Sequence, residues 1–282
     1  MNDKTDTTEA DRELKQKHRA MWAQGDYPAL AAELIPDLGA ILVEACGIKP
    51  RQKVLDVATG AGNAAIPAAM MNADVTASDL TPEMFDAGRH QAADRGVELE
   101  WKEGDAEALP FAENEFDVVM SCQGVMFAPH HQESADELVR VCKPDGTIGL
   151  INWTPEGFVG KMLATMKPFA PPPPPGAQPA PLWGSEDHVR ELFGDRVTDI
   201  HATKKTVTIR SFHHPEDFVH YFKSHYGPTI SVYKFLGEDV EKSEALDKAL
   251  TELADTYLDA HGDATAQMEW EYLLFTAKKA RA

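Results

Sequence analysis

The ten residues Val54-Leu55-Asp56-Val57-Ala58-Thr59-Gly60-Ala61-Gly62-Asn63 constrain the fold of this chain more than any other stretch. Apolar residues at 54, 55 and 57 suit a parallel strand covered on both faces. Gly60 and Gly62 let the backbone turn sharply and approach a ligand closely. Ala64, Ala65, Ile66, Ala68 and Ala69 then favour a helix, with Pro67 confined to its first turn. Ligands of open α/β sheets bind at the carboxyl ends of such strands.

The rest of the chain repeats this rhythm. Upstream, Trp22, Tyr27, Leu30, Leu34, Leu38, Leu42 and Val43 recur at three- and four-residue steps, which predicts helices over 9–46 split near Gly25 and Pro36. Strands are expected at 51–57, 75–78, 97–101, 116–120 and 147–152. Thr81-Pro82-Glu83 reads as a helix start with Thr81 as cap. Residues 131–142 read as a helix, and Lys143-Pro144-Asp145-Gly146 as a turn. After residue 153 the rhythm changes. Residues 170–181 are proline-rich, a stiff connector or a partner motif. A helix at 185–193 capped by Ser185, strands at 197–200 and 206–209, helix throughout 215–260 and a last strand at 268–277 complete the reading.

The alternation predicts an α/β fold: a doubly wound, mostly parallel sheet with N-terminal helices and a helical cap inserted before the last strand. The corresponding divisions are a tail and helices at 1–46, a core at 47–212, the cap at 213–262, and the final strand and tail at 263–282. The polar, acidic start of the chain reads as a short disordered tail, not a signal peptide.

Composition narrows the function. The 282 residues suffice for one sizeable domain with an insertion, or for two domains, and 43% hydrophobic with 26% charged residues is a soluble globular balance. No apolar run is long enough to cross a membrane. A net charge of −19 argues against nucleic acid or an anionic membrane surface as partner. It reflects either solubility or a salty environment. Cys46, Cys122 and Cys142 form no CxxC pair and read as reduced, buried thiols of a cytoplasmic protein.

Gly60-Ala61-Gly62-Asn63-Ala64-Ala65 fits GxGxxG/A, and Asp79 follows Gly60 by nineteen residues, near the distance of a ribose-binding acid. Alone, these suggest a dinucleotide site. Three features point elsewhere. Asp56 lies inside the strand, where a carboxylate needs a cation or several donors. Gly104-Asp105-Ala106 presents a second acid just past a strand. Phe116-Asp117-Val118-Val119-Met120-Ser121 leads through a helix to Lys143-Pro144-Asp145-Gly146.

With these motifs in this order, residues 50–153 resemble the class I S-adenosylmethionine-dependent methyltransferases, within them the small-molecule branch that includes the ubiquinone/menaquinone C-methyltransferases. The resemblance implies a doubly wound, Rossmann-like seven-stranded sheet and S-adenosyl-L-methionine as cofactor. It implies that Asp56 and the backbone at Ala58, Gly60 and Gly62 hold the methionine end, that Asp79 binds the ribose with Leu80 and Met84 nearby, and that Asp105 and Ala106 meet the adenine. Ser121 is placed facing the methionine part. Many relatives carry a third glycine where this chain has Ala58, a position that tolerates small residues. Local readings stand beside these: Asp56 as a carboxylate with backbone partners only, Asp79 as a helix cap, Asp105 facing solvent.

Methyl transfer from a sulfonium is an in-line displacement that asks mainly for alignment and exclusion of water. An oxygen or nitrogen acceptor can also need a base. His130 and His131, beyond the fourth strand, are candidates, though His131 can equally begin a helix. His213 and His214 read as an exposed loop pair, and no metal site is expected. Aromatic residues recur through 212–233. Phe218, Tyr221 and Tyr226, with Trp22 and Tyr27, are either core or the wall of a pocket for a flat, apolar acceptor, floored by Gln123, Met126 and Phe127. The apolar face of 240–258 is either packing or a homodimer surface. The expectation is methyl transfer to a small hydrophobic or aromatic acceptor at O, N or C. The alternatives are a nicotinamide-dependent oxidoreductase and a non-catalytic protein that binds S-adenosylmethionine.

Overall fold

The computed structural model describes residues 9–258 and 266–281. The expected N-terminal tail through residue 8, and residues 259–265 at the boundary of cap and final strand, lie outside the described residues.

β1 (Lys53–Val57) is buried at every position after Lys53, which explains its unbroken apolar character. It pairs in parallel with β2 (Asp74–Asp79) on one side and β4 (Phe116–Cys122) on the other. With β3 (Glu100–Glu103), β5 (Cys142–Trp153), β6 (Val197–Ile209) and β7 (Met268–Lys279), the seven-stranded order is β3-β2-β1-β4-β5-β7-β6. β1 to β5 run parallel, and β7 is antiparallel to both neighbours. The sheet grows one way from β1 and the other way from β4, so their carboxyl ends flank the switch point where such sheets bind ligands. The two loops there touch: a Cβ on Gly124 would lie 2.1 Å from the Ala58 carbonyl oxygen.

α1 (Glu9–Trp22), α2 (Tyr27–Leu34) and α3 (Leu38–Cys46) break at Gly25 and Pro36, as the pattern predicts. α3 buries Leu38, Leu42 and Val43 and packs on β4, β5 and α4 (Ala65–Met70), which takes Pro67 in its first turn. α5 (Phe85–Asp94), α6 (His131–Val141), α7 (Phe158–Met166) and α8 (Glu186–Phe193) complete the layers. The helical block between β6 and β7 comprises α9 (Pro215–His225), α10 (Gly227–Leu236) and α11 (Val240–Tyr257). It breaks before Gly227-Pro228 and at Gly237, so 215–257 is three helices and not one run. On α11, Leu246, Leu250 and Ala254 are buried and Tyr257 lies 5.3 Å from the Phe158 ring, so this apolar face packs within the chain.

Several boundaries differ from the pattern. β3 starts at Glu100, because the Val97 amide still bonds back to Ala92 in the turn after α5. The expected strands at 197–200 and 206–209 are one strand, β6, kept continuous by antiparallel pairing with β7. Lys143–Gly146 is a bulge inside β5: Phe116 pairs with Cys142, yet Val118 pairs with Thr147. Neither Thr81 nor Ser185 caps a helix with its side chain. At the first, Asp79 Oδ1 takes the Thr81 amide at 2.8 Å instead.

Candidate active site

A cavity of about 420 Å³ runs along the carboxyl ends of the strands. One half is formed by the loop after β1 (Ala58, Thr59, Gly60), the end of β2 (Asp79, Leu80, Met84) and the loop after β3 (Gly104, Asp105, Ala106). Gly60 stands at φ +56° and Gly62 at φ +89°. Gly62 does not line the cavity; a Cβ there would meet the Trp101 ring at 2.9 Å, so its missing side chain serves packing. Ala58 adopts φ +54°, a left-handed conformation that costs a residue with a Cβ about 1–2 kcal/mol.

The carboxylates are built differently. Asp79 is 8% exposed and accepts the Gly60 amide on Oδ2 and the Thr81 amide on Oδ1, both at 2.8 Å. Burial still pushes its carboxyl above the usual range, against those two amides. Asp105 accepts the Glu107 amide at 3.0 Å and pairs with Lys15 of α1 at 3.0 Å. Lys15 also pairs with Glu107. Burial opposes charge on both, yet the carboxylates raise the Lys15 ammonium, and Lys15 with the His130 amide lowers Glu107. Asp56 sits behind the glycine loop and outside the cavity lining. Its Oδ2 accepts the Thr59 hydroxyl at 2.6 Å, and Oδ1 has no hydrogen-bond partner among the described residues. Burial pushes its carboxyl up to about 7, against the Thr59 hydroxyl and the nearby Ala65 amide.

Ser121 does not face the cavity. It is fully buried, donates to the Val57 carbonyl at 2.6 Å and accepts the Val125 amide at 2.9 Å, stitching β4 to β1. His130 is outside the lining too: Glu107 accepts its amide at 2.7 Å and holds its imidazole, against burial, above the usual range. His131 begins α6 fully buried, its Nδ1 2.9 Å from His188 Nε2, and burial lowers it to about 4. Neither imidazole is brought to the cavity, so the expectation of a base at this pair is not supported by their placement. His213 and His214 are exposed, with backbone amides that donate to Asp217. The imidazole that does line the cavity is His18, one helical turn from Lys15 and from Trp22. Burial and then the Lys15 charge hold it below the usual range. The signal that could have found it is the 15-18-22 spacing on α1. Among the described residues no group of side chains is arranged to hold a metal ion.

The other half of the cavity is aromatic. Of the residues that the sequence left open between core and pocket, Trp22, Tyr27, Gln123, Phe127 and Tyr226 line it, whereas Met126, expected in the floor, is fully buried outside the lining. Trp22 meets Phe127 edge-on at 4.7 Å and lies 6.4 Å from Tyr226. Phe218 and Tyr221 do not line it. Phe218 is a core ring 4.9 Å from Phe158, and Tyr221 stacks on His225 at 4.2 Å. The inward face of α9 carries Phe222, followed one turn later by Tyr226. Trp153 at the end of β5, Trp270 in β7 and Val159 of α7 also line this half. Nothing local marks them, since the antiparallel pairing of β5 with β7 brings the two indoles to 5.7 Å.

These features suit the sulfonium donor that the motifs imply. Asp79, fixed by two backbone amides beside the glycine turn, and Asp105 beyond β3 line the same half of the cavity and fit a nucleoside-bearing ligand whose hydroxyl and amino groups donate. A family model described as a methyltransferase domain matches residues 54–146. Residues 54–146 therefore carry a class I S-adenosylmethionine-dependent methyltransferase domain, and S-adenosyl-L-methionine is its cofactor. The chain falls in one family with the uncharacterized protein Rv1403c of Mycobacterium tuberculosis: 51% identity over 262 residues, covering 93% of this chain and 94% of the relative. A demethylmenaquinone methyltransferase of Renibacterium salmoninarum is 37% identical over 108 residues, 38% of this chain and 44% of that protein. In fold, the chain is similar to a putative methyltransferase of Bacillus halodurans, with TM-score 0.59 and 21% identity over 86% of this chain and 99% of that one. No helix among the described residues is long and apolar enough to cross a membrane.

Proposed function

We propose that this enzyme methylates a small, flat, apolar acceptor. The observation that carries the reading is one continuous cavity with an acid-lined half at the glycine loop and an aromatic half beneath the cap. Bound S-adenosylmethionine supplies an electrophilic methyl group on a positively charged sulfur. Asp79 holds the ribose hydroxyls with the carboxylate that its two amides already fix in place. Asp105 and the Ala106 backbone take the adenine, Leu80 and Met84 flank the ribose and adenine, and the turn at Ala58 and Gly60 carries the methionine chain, with Gly62 packed behind it on Trp101. Asp56 supports that turn from behind through Thr59.

The acceptor lies between Trp22, Phe127, Tyr226 and Phe222, whose rings exclude water and hold a planar ligand in line with the methyl group. The free thiols of Cys46, Cys122 and Cys142 support a reducing, cytoplasmic setting. The net charge of −19 speaks for a small molecule and against nucleic acid as the acceptor. The test is calorimetric titration with S-adenosylhomocysteine, followed by turnover with phenols and amines. Binding of S-adenosylhomocysteine with methylation of a planar aromatic compound is expected. Turnover confined to large polar acceptors would overturn the reading.

A further inference from the structure

The aromatic half of the cavity carries its own polar signature. Trp270, 2% exposed, has an indole Nε1–H with no hydrogen-bond partner among the described residues, and Gln123 Nε2 is likewise buried and unpartnered. Gln123 stands at φ +59°, a strained backbone that aims its side chain where an extended strand would not. Tyr27 Oη accepts the Gly227 amide at 3.1 Å, which leaves its own proton to donate. Burial raises the hydroxyls of both Tyr27 and Tyr226, so each stays protonated at neutral pH. All four side chains line the cavity, and all four can give a hydrogen bond. Of the charged groups in the lining, Asp79 faces this half, since after burial and Tyr226 its charge further raises the Tyr27 hydroxyl. Lys15 and Asp105 pair at the adenine end, and the charges acting on His18 are those of Lys15, Glu107, Asp105 and His130 around that same end.

An unpartnered buried donor is a standing penalty that a ligand oxygen relieves. We propose that the acceptor is a phenol bound as its phenolate, with the oxyanion held by Trp270 Nε1–H and Gln123 Nε2–H and supported by the two tyrosine hydroxyls. This rests on the methyl-transfer reading above. The phenol proton is lost to solvent on binding. A remaining lone pair of the phenolate oxygen forms the O–CH3 bond as the S–CH3 bond breaks, and that bond's electron pair stays on sulfur. Two opposite charges become two neutral products, and no side chain need accept a proton. The net charge of −19 both slows encounter with free anions and favours the neutral phenol, so the donors must outweigh it for the phenolate to form.

The probe is 4-nitrophenol, whose anion absorbs visible light, titrated against the protein saturated with S-adenosylhomocysteine. That ligand lacks the sulfonium charge, so the ionisation of the bound probe reads the protein's own donors. The expected result is a bound ionisation midpoint at least one pH unit below that of the free phenol. Trp270→Phe and Gln123→Ala are each expected to weaken phenolate binding roughly tenfold, with S-adenosylhomocysteine affinity unchanged. A midpoint at or above the free value, affinities unmoved by both variants, no probe binding to the formed complex, or turnover of amines but not phenols would overturn the proposal. Failure of S-adenosylhomocysteine itself to bind would instead overturn the methyl-transfer reading.

Discussion

Ala58 pays for its place with its backbone. At φ +54° it occupies a conformation that a glycine adopts freely, where the first turn of the site leaves β1. Ala58→Gly removes that strain at the cost of a looser unfolded chain, so unfolding in urea should show a gain of up to about 1 kcal/mol. Asp56 makes stability depend on pH. Its folded value of about 7 lies above the ordinary 3.8, so the folded state holds this proton more tightly. Stability from this group is full below about pH 4, falls as pH rises towards 7 and is flat beyond, by roughly 4 kcal/mol at most. Urea melts at pH 5 and pH 8 should show the fall, and Asp56→Asn should flatten it. Asp79 is the residue on which the donor assignment turns. Asp79→Ala removes a charged acceptor of ribose hydroxyls, and calorimetry should show S-adenosylhomocysteine affinity reduced by about a hundredfold or more. Unchanged affinity would sink the ribose role.

At the scale of elements, α1 is the roof of the site. Lys15 fastens it to Asp105 and Glu107, Arg19 fastens it to Glu83 at 2.9 Å and to Glu103 at 2.9 Å, and Trp22 reaches the aromatic half. These ion pairs, the Trp22 ring and packing against α10 hold it. The partly exposed Arg19 pairs contribute about 0.2–1 kcal/mol each, whereas loss of the largely buried Lys15 ammonium leaves Asp105 and Glu107 without their cation. Lys15→Ala with Arg19→Ala should therefore speed hydrogen exchange in 9–22 several-fold while leaving β1 and β4 protected; equal protection in the variant would show that packing alone holds the helix. The helices themselves were legible from apolar spacing and from Gly25 and Pro36. The salt-bridge partners of α1 were not, because each lies sixty or more residues away in sequence. The same limit applies in the cap. The recurrence of aromatics marked α9, but only its docking decides that Phe222 and Tyr226 face the cavity while Phe218 and Tyr221 do not.

For the whole molecule, donor binding and folding are linked. A ligand at a hundredfold excess over its Kd stabilises the folded state by about 2.7 kcal/mol. For a chain of this size that corresponds to a rise in Tm of very roughly 5–10 °C. A thermal melt with S-adenosylhomocysteine should show it, and one with NADH should not. A matching shift with NADH would contradict the specificity of the acid-lined half.

The sequence by itself determined β1, its glycine turn and the acids at the ends of β2 and β3, because strand burial, left-handed backbone and ribose-distance spacing are local properties written in consecutive residues. It thereby determined the class of the enzyme and half of the cavity. The tertiary structure alone decided the other half. Trp153 and Trp270 meet through strands more than a hundred residues apart, His18 reaches the cavity only because α1 is fastened across it, and Ser121 turns to stitch two strands. His131, which stood on the right edge in sequence, disappears into the core beside His188. Side-chain direction on a helix and long-range pairing follow from packing over the whole fold, and no window of sequence contains them.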